Sequence, residues 1–318
     1  AILTNMFHVK RSRKDFMGSS RMQKNVSPDN QFVVDLLTTL KREHFSPSGW
    51  WHFLAHSWNM SCATANKHPE LKRSWLHITL LFGVLAGILL LITFLSSGTS
   101  ALLHLLPGLV FCVAWQQSDL FWHLGLNRRV ETGELLPHVG IANILTGLRG
   151  LAASYLLSRL IGGLATPSAL ALLVFLCGIL TDILDGLWAR RARTQSRLGQ
   201  IMDGEADFCL YLALTFILVQ NGVLPLWLGI LMLLRFCVPL LAALASYFLL
   251  AKPVRFGSTL WGKGAGIAQC LYFLLLLAPS QLTPLTHALN LPLLLITLAL
   301  LIAAPSAQIV GNVAQRAQ

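Results

Sequence analysis

The sequence predicts an all-α protein built as a bundle of transmembrane helices. Three observations predict it. Of 318 residues, 55% are hydrophobic and only 12% are charged, about half the charged share of an ordinary soluble domain. Several apolar runs approach about 20 residues, the length at which a helix crosses a bilayer core. The basic residues, which bring the net charge to +11, gather in alternate connections between those runs.

Residues 1–74 are polar and form the first region. They carry eleven Lys or Arg against five acids. The first 30 residues are expected to be disordered, and Gln31 to Leu40 has the pattern of a short amphipathic helix. Trp50, Trp51, Phe53 and Trp58 predict a segment lying at the membrane interface, where Trp is enriched and Lys/Arg favours anionic lipid. No hydrophobic h-region is present, so no cleavable signal peptide is expected.

Apolar runs follow, predicting spans near 76–97, 101–118, 143–163, 168–187, 200–220, 225–249, 263–280 and 291–309. With the N-terminus inside, the inner connections are 119–142, 188–199 and 250–262. They hold Arg128, Arg129, Arg190, Arg191, Arg193, Arg197, Lys252 and Arg255. The outer connections, near 98–100, 164–167, 221–224 and 281–290, hold no Lys or Arg. The positive-inside rule is met throughout, which predicts eight spans with both termini cytoplasmic. Six cysteines are scattered without a CxxC pair, and free thiols are expected.

One stretch is out of keeping with its apolar surroundings. Asp182 and Asp185 are i,i+3 and share a helical face, as do Asp203 and Asp207 at i,i+4. Between the pairs runs a basic turn, Arg190-Arg-Ala-Arg-Thr-Gln-Ser-Arg197. Two helices joined by a loop would turn these acidic faces toward each other near their cytosolic ends. Clustered carboxylates at membrane depth are costly and are functional by default; a metal or shared protons would make them tolerable. An ion-pair network with Arg149, Arg190 or Arg235 is the plain alternative, but four acids outnumber the bases at that depth. A proton or cation pathway would spread its acids through the membrane instead of confining them to one end.

The loop adds to this. Gly186 and Gly199 allow close approach of a ligand to the backbone. Ala189 is small and shares the face of Asp182 and Asp185, and Arg190 can fork onto a phosphate. Together these describe a nucleotide diphosphate held through divalent metal.

The string Asp182-x2-Asp185-Gly186-x2-Ala189-Arg190-x8-Gly199-x3-Asp203-x3-Asp207 resembles the signature of the CDP-alcohol phosphotransferase (CDP-alcohol phosphatidyltransferase) family, with every position and gap intact. Asn143-Ile-Leu-Thr146-x2-Arg149 resembles the entry to that family's first helix. The resemblance covers roughly 140–310. It divides the chain into a basic interfacial region (1–74), two extra spans with an amphipathic connection (75–140), a six-helix core (141–310) and a short cytoplasmic tail (311–318). It implies a homodimer with a cytosol-facing active site, membrane lipids around it, and no nucleic-acid partner. It implies transfer of a substituted phosphate from a CDP-linked donor to an alcohol, with release of CMP, in phospholipid biosynthesis. By the same resemblance Asp182, Asp185 and Asp203 would bind metal, as a pair of Mg²⁺ or Mn²⁺ ions. Asp207 would complete the metal set and act as general base. Asp182, Gly186, Ala189 and Arg190 would hold the cytidine nucleotide, with Ser196 and Gly199 near it.

The acceptor is read from a second basic set: Arg235, which must face protein or water at mid-membrane, Arg255 and Lys263. Gly262-Lys263 with Gln269 resembles the members that use glycerol phosphate, but Ala265 and Gly266 replace their second Lys and following Thr. Ser246-Tyr247 with Ala251-Lys252 faintly resembles the inositol-phosphate branch. A cationic pocket favours a phosphorylated polyol as acceptor and CDP-diacylglycerol as donor. The alternative within the family is CDP-choline or CDP-ethanolamine with diacylglycerol. Outside it, a non-catalytic transporter or lipid-binding scaffold is the rival, and the intact acid set argues against that.

Overall fold

The computed structural model describes residues 40, 42, 45–250 and 260–314. The expectations for the first 30 residues and most of 31–40, and for Lys252, Arg255 and residues 315–318, lie outside the described residues. Eight helices form among the described residues: α1 Pro47–Lys67, α2 Pro69–Trp122, α3 Ile141–Ile161, α4 Ser168–Arg191, α5 Arg197–Gln220, α6 Leu226–Leu250, α7 Leu260–Leu276 and α8 Thr283–Ala314. The described residues include no strand. The protein is an all-α polytopic membrane bundle, as predicted.

α1 starts where Ser46 accepts the Gly49 N–H (3.1 Å) and Pro47 takes the first helical position. It packs on the far end of α2. Trp122 Nε1 donates to Ser57 Oγ (2.7 Å), Ser61 Oγ donates to the Trp122 carbonyl, and the Trp58 and Trp122 rings meet edge to face at 5.8 Å. Trp51, 71% exposed, points away from this contact, as suits a helix resting at the lipid–water boundary.

α2 has the length of two spans because it is two spans. At Gly98 the backbone leaves the helix, with φ +79° and ψ −177°, a conformation that glycine alone adopts without strain. The chain reverses there. Trp75 Nε1 donates to the Gln117 carbonyl (3.0 Å) and Thr79 Oγ1 to Gln117 Oε1 (3.1 Å), so the start of α2 lies beside its end. The expected spans 76–97 and 101–118 are the two arms of this hairpin.

Four described helical stretches are long and apolar enough to cross a membrane: Pro69–Trp122, Ile141–Ile161, Ser168–Arg191 and Ser280–Ala304. Their lipid-facing sides show in exposed Leu80, Val84, Leu95, Phe111, Leu173, Leu180, Leu291 and Ile302. α5, which carries Asp203 and Asp207, packs between α3 and α6, and α7 packs on α8.

α3 is the axis of the bundle. It touches α2, α4 and α5, and most of its residues are buried. The α2 hairpin fits it closely. Gln116 Nε2 donates to the Gly147 carbonyl (2.9 Å), and a methyl group on Gly147 would lie 2.5 Å from the Phe82 ring. On the other side, Phe175, Tyr211 and Phe273 form a cluster linking α4, α5 and α7, with ring centroids 5.5–6.0 Å apart.

Two of the basic connections meet, and so do two of the connections without basic residues. Val130 N–H donates to the Gln195 carbonyl (3.0 Å) and Arg197 N–H to the Arg128 carbonyl (3.0 Å), so the basic segments 119–142 and 188–199 meet on one face. At the other end Asn221 Nδ2 reaches the Thr166 carbonyl (3.4 Å), joining two connections without basic residues. Arg159, near that end, donates to the Ala165 carbonyl (2.6 Å). The six cysteines are free.

Candidate active site

α4 and α5 both run further into the basic turn than the hydropathy pattern suggests. α4 continues through Arg190 and Arg191, cations that favour a helix C-terminus. α5 begins at Arg197 because Ser196, its N-cap, accepts the Gly199 N–H (3.0 Å). The helices therefore bring Asp182 and Asp185 opposite Asp203 and Asp207. One oxygen from each of Asp182, Asp185 and Asp203 lies within 4.8 Å of the others.

At the centre stands Arg149 of α3, only 2% exposed. Nη1 is 3.0 Å from Asp182 Oδ1, Nη2 is 3.6 Å from Asp185 Oδ2, and Nε is 3.2 Å from Asp207 Oδ1. Nη2 also donates to Asp203 Oδ1. One guanidinium thus touches all four carboxylates. The arginine alternative raised by the sequence is therefore real as geometry. Of its contacts only the one to Asp203 has hydrogen-bonding direction. Nε and Nη1 sit at ion-pair distance without an aligned acceptor.

A second α3 residue orders the cluster. Thr146 Oγ1 donates to Asp185 Oδ2 (2.8 Å), and both are buried. Asn143, one turn earlier, lies over Gly199; a Cβ there would sit 2.7 Å from Asn143 Oδ1. Gly199 is thus small to let α3 and α5 meet, and Ser196 is engaged as a helix cap. Sequence reasoning had linked both to the nucleotide. It placed Asn143, Thr146 and Arg149 at the entry to the family's first helix and Arg149 among three possible ion-pair partners, but assigned none of them to the site; the signal that points there is their i,i+3 spacing on one polar face of an apolar helix.

The remaining predicted residues fall around this centre. Gly186, Ala189 and Arg190 are half-buried on the last turns of α4, and Arg190 Nη2 is buried without a hydrogen-bond partner. Arg235 of α6 donates to Gln269 Oε1 of α7 (3.0 Å) and stands over Gly266, where a Cβ would be 2.7 Å from Nη2. The glycine at the position of the expected Thr therefore leaves space for a guanidinium. Gln269 is fully buried and its Nε2 has no partner. Lys263 is half-buried on α7, and Arg255 lies outside the described residues.

A cavity of about 170 Å³ opens beside the acids. Arg149, Asp182 and Asp207 line one end, and Phe175, Leu210, Ile267, Leu271 and Leu274 the rest. Lys263 shares the α7 face of Ile267, Cys270, Leu271 and Leu274 by helical spacing. The site can therefore receive an amphiphile, charged at one end and apolar along its length.

Clustered carboxylate oxygens are the donor set that Mg²⁺ and Mn²⁺ take. Asp182, Asp185 and Asp203 fit a divalent ion by ligand type and by mutual distance.

The model of one protein family, described as CDP-alcohol phosphatidyltransferase, matches residues 139–304. No curated protein and no solved structure gave a significant match. The matched region begins just before α3 and takes in α4 to α7 and most of α8; the α2 hairpin lies outside it.

Proposed function

Because the chain belongs to the CDP-alcohol phosphatidyltransferase family, we propose that it transfers a phosphatidyl group from CDP-diacylglycerol to the hydroxyl of a phosphorylated polyol, releasing CMP. One observation carries the lipid side of this reading: the cavity beside Asp182 and Asp207 is walled by Phe175, Leu210, Leu271 and Leu274, which suits a hydrocarbon arm entering from the bilayer. Arg235 and Lys263 support an anionic acceptor, because a guanidinium kept in the membrane interior implies a negative partner.

Asp182, Asp185 and Asp203 would hold the divalent ions with Asp207 beside them. Such ions neutralise a diphosphate and stabilise a leaving nucleotide phosphate. Arg190, with an unpartnered N–H, is assigned to the donor's phosphates. Gly186 and Ala189 leave room for the cytidine on the same helix face. Asp207 takes the acceptor's hydroxyl proton on a carboxylate oxygen. The acceptor oxygen bonds to the phosphorus distal to cytidine, the bond from that phosphorus to the CMP oxygen breaks, and CMP carries the electron pair away. No side chain becomes covalently bonded.

The basic connections that meet beside α4 and α5 support a cytoplasmic site, with both termini on that side. The test is release of CMP from CDP-diacylglycerol by purified protein with Mg²⁺ or Mn²⁺ and a panel of polyol phosphates, serine and choline. Turnover is expected with a polyol phosphate and its loss in Asp207→Asn, with the variant still folded. Turnover at the wild-type rate in that variant removes Asp207 as base.

A further inference from the structure

The four carboxylates have two claimants. The carboxylates that would ligate a divalent ion, those of Asp182, Asp185 and Asp203, each have an oxygen that Arg149 touches. A cation coordinated by these three acids and a guanidinium contacting all four draw on the same carboxylates. The arginine cannot retreat to water, since it is 2% exposed and its stem lies along Gly178 of α4, whose missing Cβ would sit 3.9 Å from Arg149 Cδ. It is anchored through α3, which the α2 hairpin and α5 hold on both sides.

The quality of the contacts points the same way. Only the bond to Asp203 is directed; the approaches to Asp182 and Asp207 have charge without alignment. Undirected ion pairs between a fixed cation and several acids resist ligand exchange less than aligned, bidentate ones do. From this we propose that Arg149 is a resident counter-cation. It competes with the divalent ion for the oxygens of the four acids, and so holds the site's metal affinity below what the acids alone would give. The inference rests on the metal-dependent reading above and adds a regulating residue to it. Arg149 is a positioning residue that acts through the carboxylates.

A merely structural arginine predicts the opposite sign. If Arg149 only shaped the pocket, its loss would scatter the acids and weaken metal binding. If it competes, its loss strengthens binding. At an effective dielectric constant of about 20, one positive charge a few ångströms away changes divalent affinity by more than about tenfold.

The measurement is Mn²⁺ binding to full-length protein in detergent, read as the loss of the free-ion electron paramagnetic resonance signal. Wild type, Arg149→Gln, Arg149→Lys and Asp203→Asn are compared. The expected result is a Kd at least about tenfold lower in Arg149→Gln, and one between wild type and Arg149→Gln in Arg149→Lys, which keeps the charge but cannot span four acids. An unchanged or higher Kd in folded Arg149→Gln overturns the proposal. Should Arg149→Gln fail to fold, Arg149→Lys decides: a Kd below wild type supports competition, and one at or above wild type overturns it. Absence of Mn²⁺ binding by wild type would overturn the metal reading itself, and this inference with it. Binding by wild type that Asp203→Asn abolishes, without tightening in the arginine variants, sinks the inference alone.

Discussion

Thr146 donates its hydroxyl to Asp185 Oδ2 over 2.8 Å, from one buried helix to another. The bond holds the Asp185 carboxylate in place beside Asp182 and Asp203. Thr146→Val keeps the shape and deletes the donor. Outer partners of metal-binding carboxylates typically matter by about 10–100-fold in affinity or activity. A loss of that size in CMP release, with an unchanged thermal midpoint, is expected. Wild-type turnover would show that Asp185 needs no such support.

Gly199 carries an opposite expectation. Its missing Cβ makes space for Asn143 Oδ1. Gly199→Ala must displace the Asn143 side chain, at about 1–3 kcal/mol for an overpacked contact. Thermal unfolding in detergent should show the loss, while the KM for the CDP-linked donor stays near wild type. A large rise in that KM without loss of stability would return Gly199 to the nucleotide site.

The α2 hairpin, though outside the family match, is built into the core. Gly147→Leu would drive a side chain into Phe82 and disturb the Gln116 bond to the Gly147 carbonyl. A destabilisation of about 1–3 kcal/mol is expected. A variant as stable as wild type would mean that the hairpin is only loosely attached.

Arg235→Gln removes the guanidinium that stands over Gly266 and bonds Gln269. Hydrogen bonds to charged groups contribute about 1.5–3 kcal/mol, or roughly 10–150-fold. The KM for a polyol phosphate should rise by that order, with the donor KM unaffected. Equal effects on both substrates would place Arg235 outside the acceptor pocket.

His123, just beyond the last turn of α2, accounts for one pH effect. The hydrogen bond to Asp119, at 3.2 Å, raises its pKa above the usual 6.5 despite partial burial, with the Asp119 and Glu205 charges adding to the rise. A raised folded-state pKa means that the charged pair stabilises fully below the unfolded value. That contribution fades as pH climbs through the folded one. The wild-type thermal midpoint should therefore fall between pH 6.5 and the folded-state pKa by more than that of His123→Asn. Parallel pH curves would show that the pair contributes nothing.

Much of this architecture was legible in the sequence. The four long apolar stretches follow from apolar length, and the hairpin's reversal falls within the short stretch without charge that contains Gly98. The acid cluster follows from spacing alone, since i,i+3 and i,i+4 carboxylates on consecutive helices have one way to meet. Arg149 was different. It appeared as one of three nearby bases, and only the packing of α3 against both α4 and α5 brings its guanidinium to all four acids. Gly199 is ambiguous in sequence for a related reason: a small residue beside a site looks the same whether a ligand or a neighbouring helix lies against it, and the contact with Asn143 emerges only from the packing of α3 on α5. The helix ends at Arg191 and Arg197 ran past the apolar pattern because capping and dipole effects extend helices into polar sequence.

The account depends most on the acids acting through a divalent ion to release CMP. Acceptor-dependent CMP release should be measured for wild type and Asp203→Asn, each with Mg²⁺ and with excess chelator. The account predicts turnover in one of the four conditions, wild type with Mg²⁺. Turnover that survives both the chelator and the substitution would contradict it.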